Sequence, residues 1–195
     1  EHGDSPYAEV AMFFAGRAAM SQLTESGMEK AITLWEEVVS RNGPLTREAQ
    51  HQQAVVKRRQ GNHQDALLVI ENLLSSPVED TEERLGLLAE KGELLNLLAR
   101  NDPKHLDQAA MVFADIAHDS GASRLWRARA VVLLARCLRE GGKLDEALEA
   151  CSDVMGYGLA PAPGSPIPPQ EHTWLYRAGF LAMDMLEARG DWVAA

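Results

Sequence analysis

The chain has 195 residues, 46% of them hydrophobic and 25% charged, a balance that can bury a substantial core in one ordinary domain or a short repeat array. A formal net charge of -10 repels phosphate backbones, which argues against a nucleic-acid partner and otherwise keeps the surface solvated. No stretch approaches the ~20 apolar residues needed to span a bilayer, because Arg17, Glu93 and Arg136 interrupt the longest runs, so no membrane insertion is expected.

In chain order, the 3.6-residue apolar periodicity and the local start and stop residues predict helices over 6–24, 28–41, 46–60, 63–75, 80–100, 104–119, 122–140, 143–155 and 170–189. Ser5-Pro6 and Asp102-Pro103 place a capping residue before a proline at the first helical position. Asp80 with Glu83 has capping-box spacing. Pro44 and Pro77 read as stops. The segment 156–169 carries Pro161, Pro163, Pro166, Pro168 and Pro169 among several glycines, and reads as a long loop. No period-2 strand pattern competes.

One phrase recurs along these helices. It reads Gly61-Asn62-His63-Gln64-Asp65-Ala66, then Gly142-Lys143-Leu144-Asp145-Glu146-Ala147. Looser copies end at Ala31 and Ala109, and a further start follows Gly190, so that Ala31, Ala66, Ala109, Ala147 and Ala195 stand 35, 43, 38 and 48 residues apart. The glycine suits a left-handed helix cap, and the small alanine lets a paired helix approach. Four residues past each alanine stands Trp35, Ile70, Phe113 or Cys151, and three further Val38, Leu73, Ile116 or Val154, which is a core-facing stripe. The preceding helices carry Val131, Leu134, Ala135 and Leu138, or Leu88, Lys91, Gly92 and Leu95, at matching spacing, with the small member expected to face the following alanine.

These residues resemble the tetratricopeptide repeat family, most closely at 61–73 and 131–154 and more loosely at 31–38 and 88–116. The resemblance implies an all-α fold, an antiparallel helix-pair solenoid of about four to five repeats in a single domain over 1–195. The approximate repeats are 6–43, 44–78, 79–120 and 121–156, followed by a Pro-rich loop over 157–169 and a partial repeat over 170–195. The sequence departs from the family in its longer first helices of repeats one, three and five. It also lacks most of the aromatics usual near the start of each first helix. The family implies a scaffold that binds a peptide or protein segment in the concave groove lined by the first helix of each pair.

The residues offer little chemistry. His2, His51, His63, His105, His118 and His172 form no His-Glu-x-x-His pair. Gly156-Tyr157-Gly158 has no strand before it, and there is no Walker loop or Gly-x-Ser-x-Gly elbow. Adjacent acids such as Glu36-Glu37 diverge around a helix and read as solvated faces. No catalytic residue, metal site or cofactor is expected. Cys137 and Cys151 fall at apolar helix positions and read as buried free thiols, with the compartment left open.

With the family register anchored on the small residues Gly16, Ala54, Gly92, Ala135 and Gly179, the groove positions hold Arg17, Arg58, Arg59, Arg136, Arg139 and Phe180. Arginine's planar fork matches carboxylates, so an acidic or carboxylate-ending peptide is the expected ligand, with salt bridges between neighbouring helices as the competing use. His51 and Gln52 do not reproduce the Lys/Asn set of the family's carboxylate-clamp branch. Phe13, Tyr176, Phe180 and Met183 are a second candidate surface, or core. Two other readings stand beside the scaffold: a self-assembly module stacking through its terminal repeats, and an adaptor region of a larger protein. The chain opens on Glu1-His2-Gly3 and stops at Ala195 within a helical motif, as expected of a fragment or a mature form.

Overall fold

A computed structural model describes residues 6–155 and 168–191. Among the described residues the chain forms nine α-helices and no strand. They are α1 (Pro6–Met20), α2 (Glu25–Ser40), α3 (Thr46–Arg59), α4 (His63–Leu74), α5 (Thr81–Leu98), α6 (Lys104–His118), α7 (Arg124–Glu140), α8 (Leu144–Met155) and α9 (Pro169–Arg189). No helix of the described residues is long and apolar enough to cross a membrane. The helices fall into two compact units, one within residues 1–77 and one within 78–195.

In the first unit each helix packs on the next, α1 on α2, α2 on α3 and α3 on α4. Trp35 of α2 is fully buried, and its indole Nε1 donates to the Phe13 carbonyl at 3.2 Å. The space for that ring comes from Gly16, where a Cβ would lie 2.5 Å from Trp35 Nε1. The end of α1 differs from the sequence expectation. The helix stops at Met20 instead of running to 24, and α2 starts at Glu25 instead of 28. Leu23 takes a left-handed conformation (φ 54°), which breaks the helix, and the Thr24 hydroxyl accepts from the Gly27 backbone N–H at 3.0 Å to cap α2. Gly27 is therefore inside α2 and is not the cap that ends α1. Leu45, at the start of α3, has no side-chain acceptor; Glu9 of α1 accepts the Leu45 N–H at 2.8 Å.

In the second unit α5 packs on α6, α6 on α7, α7 on α8 and α8 on α9, and α7 also packs on α5 and on α9. Asp80 caps α5, its carboxylate accepting from Glu83 N–H at 2.7 Å, as the spacing predicts. α5 packs mainly on α6 and also touches α7, and it buries more than one stripe: Leu85, Leu87, Leu94 and Leu98 are buried as well as Leu95. Gly92 is to Phe113 what Gly16 is to Trp35, since a Cβ there would sit 2.6 Å from two ring carbons. In these two pairs the small residue thus receives the large ring of the following helix; for Gly92 the expectation was the alanine of that helix. The helix at 170 starts one residue earlier, with Pro169 in the first turn and Pro168 before it. The remainder of the predicted loop, 156–167, lies outside the described residues, as do Ser5 and the final Trp192-Val193-Ala194-Ala195.

The recurring alanines Ala31, Ala66, Ala109 and Ala147 are all fully buried, and so are Trp35, Ile70 and Cys151, with Phe113 1% exposed. Full burial of a side chain the size of Ile70 or Phe113 contributes about 1.5–3 kcal/mol, and of an alanine methyl less than that. Gly61, Gly142 and Gly190 end their helices at φ 84°, 76° and 77°, the left-handed cap that a Cβ would strain.

Candidate binding groove on α7 and α9

The six groove residues expected from the sequence separate into sets. In the first unit Arg17 and Arg59 line one small cleft of about 170 Å³ together with Gln52 and Trp35. Arg17 also lies over the Phe14 ring at 5.7 Å. Arg58, on α3, is half-buried and engaged within the chain. In the second unit Arg136, Arg139 and Phe180 line one groove of about 400 Å³ between α7 and α9. Of the second candidate surface, Phe13 is core at 4% exposure, whereas Tyr176 (66%) and Phe180 (63%) are exposed.

The α7/α9 groove has an apolar floor and a basic rim. Leu133, Trp174, Phe180 and Leu181 supply the floor. Arg136, Arg139 and Arg177 supply the rim, facing one acidic lining residue, Asp184. The Asp184 carboxylate is 3.9 Å from Arg139 Nη1, a long exposed pair in which water competes well. Among the described residues no carboxylate stands within ion-pair distance of Arg136 or Arg177, although Glu140 lies one turn from Arg136.

A stacked series of side chains fixes this rim. Trp126 donates its indole N–H to Glu82 at 2.6 Å. Arg129 lies 5.2 Å from the centroid of Trp126 and 5.9 Å from that of Trp174, and its Nη2 donates to Glu93 at 2.8 Å. Arg177 then covers Trp174 at 4.6 Å. The guanidinium charges lie over aromatic rings, an arrangement worth about 0.5–2 kcal/mol per contact depending on desolvation. A salt bridge of 2.7 Å between Arg124 and Glu171 ties the starts of α7 and α9 together.

The sequence reading singled out Arg136, Arg139 and Phe180 but not Trp126, Arg129, Trp174 or Arg177. A signal was present: Trp126-Arg127-Ala128-Arg129 and Trp174-Leu175-Tyr176-Arg177 repeat one Trp-x-x-Arg pattern, which puts ring and guanidinium on one helix face.

A second recess, of about 680 Å³, opens on α8 and α9 and is lined by Leu148, Met155, Tyr176, Met183 and Leu186 among others. Cys137 and Cys151 are free and buried, and burial pushes their thiols up to about 12 and about 11. Among the described residues no three His, Cys, Asp or Glu side chains are grouped to hold a metal ion. No protein-family model matches the chain, and no curated protein shows significant similarity to it.

Proposed function

We propose that the chain is a non-enzymatic protein-interaction module, an array of antiparallel helix pairs of the tetratricopeptide kind that binds a peptide or protein segment through its first-of-pair helices. The observation that carries this reading is the α7/α9 groove, where exposed Phe180 and half-buried Trp174 lie beside three arginines. Exposed aromatics next to arginine are the composition of interface hot spots. The recurring Gly…Ala phrase and its buried stripe support the helix-pair array.

The test is selection of binders from a random peptide display on the whole chain, followed by hydrogen exchange of the complexes. The expected result is enriched peptides that protect α7 and α9 and that lose binding in Phe180→Ala. Phe180 is exposed, so its loss leaves the core untouched. Enrichment of nothing, or protection elsewhere only, would sink the reading.

Self-association is a second reading, favoured by apolar side chains presented by α1 and α9. Tyr7 is 79% and Phe14 55% exposed on α1, and the apolar recess on α8 and α9 is open. Sedimentation velocity decides it: a concentration-dependent dimer abolished by Phe14→Glu would support it, and a monomer at all concentrations would exclude it.

A further inference from the structure

Resting on that reading, we infer that the α7/α9 groove selects an acidic segment, one in which carboxylates flank a single apolar side chain. The charge of the groove is opposite to that of the chain: three arginines face one lining carboxylate in a protein of net charge -10. The protein's own surface leaves that charge largely uncompensated, since Asp184 reaches only Arg139, and at 3.9 Å. The floor between the arginines is apolar, and Phe180 on it is 63% exposed, so an inserted apolar side chain removes aromatic surface from water. Carboxylates on either side of that anchor meet Arg136 on α7 and Arg177 on α9, each able to give two parallel N–H donors. Asp184 then acts as the internal competitor for Arg139.

The experiment uses three synthetic peptide pools with the same central Phe or Leu, flanked on both sides by Glu, by Gln or by Lys. Binding to the whole chain is measured by fluorescence anisotropy at low and moderate salt, with hydrogen exchange locating the contact. The Glu pool is expected to bind about tenfold more tightly than the Gln pool at low salt, the Lys pool weakest, and the Glu advantage should shrink as salt rises. Arg136→Gln with Arg177→Gln should bring the Glu pool down to the affinity that the Gln pool shows for the same variant. Asp184→Asn should strengthen Glu-pool binding by about two- to fivefold, on the scale of one exposed ion pair released from competition. Equal binding of the Glu and Gln pools at α7 and α9 would overturn the acidic selectivity and leave the binding groove standing. Failure of all three pools to protect α7 and α9 would overturn both.

Discussion

Gly86 and Gly92 lie on one helix, α5, and the same substitution should have opposite effects at the two. A Cβ at Gly86 meets nothing within 4 Å, so Gly86→Ala should gain the helix propensity that glycine forfeits, about 0.5–1 kcal/mol. A Cβ at Gly92 would fall 2.6 Å from the buried Phe113 ring, and overpacking of about 1–3 kcal/mol outweighs the same gain. Urea midpoints of the two variants should therefore move in opposite directions; a rise for both would mean that Phe113 can yield. The buried cysteines give a pH-dependent prediction. Below the ordinary thiol value of 9.0 both states hold their protons, and burial has no pH-dependent effect. As pH rises past 9.0 the unfolded thiols ionise while the folded ones, at about 11 and about 12, do not. The unfolded state then binds fewer protons, and stability falls with further rise in pH. Neither thiol should react with a thiol reagent at pH 8 until denaturant is added.

At the scale of elements, Thr24 decides where α2 begins. Thr24→Ala removes the acceptor for the Gly27 N–H and should cost about 1 kcal/mol, with Thr24→Ser close to the parent, as thermal melts would read. Most of the helices were legible because their boundaries are written locally, in Asp80 before α5, in the glycines after α3, α7 and α9, and in buried stripes at i, i+4 and i+7. The α1–α2 boundary was not, because a leucine in the left-handed region carries no sequence mark. The groove was legible in part for a related reason. Arg136 and Arg139 share a face of α7 by spacing alone, but the stacking of Arg129 against Trp174 depends on how α9 lies on α7, which one-dimensional periodicity does not encode. The Gly92–Phe113 pairing escaped in the same way: spacing marks both positions as facing the neighbour, but which residue of that neighbour each one meets is set by packing.

For the whole molecule, two compact units with separate cores imply separable stability. Gly16→Ala drives a Cβ into the buried indole of Trp35 and should speed hydrogen exchange in α1 and α2 while leaving α7 to α9 at the parental rate. Equal acceleration throughout would show one cooperative block. The stacking of Arg177 on Trp174 also has an optical consequence. Trp35 sits in a fully shielded pocket, whereas the Trp174 indole emits beneath a guanidinium at the rim of an open groove. In the difference between the chain and its Trp174→Phe variant, which separates this ring from Trp35, Trp126 and Trp192, the ratio of iodide to caesium quenching should exceed that of free tryptophan, and anything that settles between α7 and α9 will change the colour and intensity of the same ring. The protein thus carries its own fluorescent reporter of occupancy, with no label required.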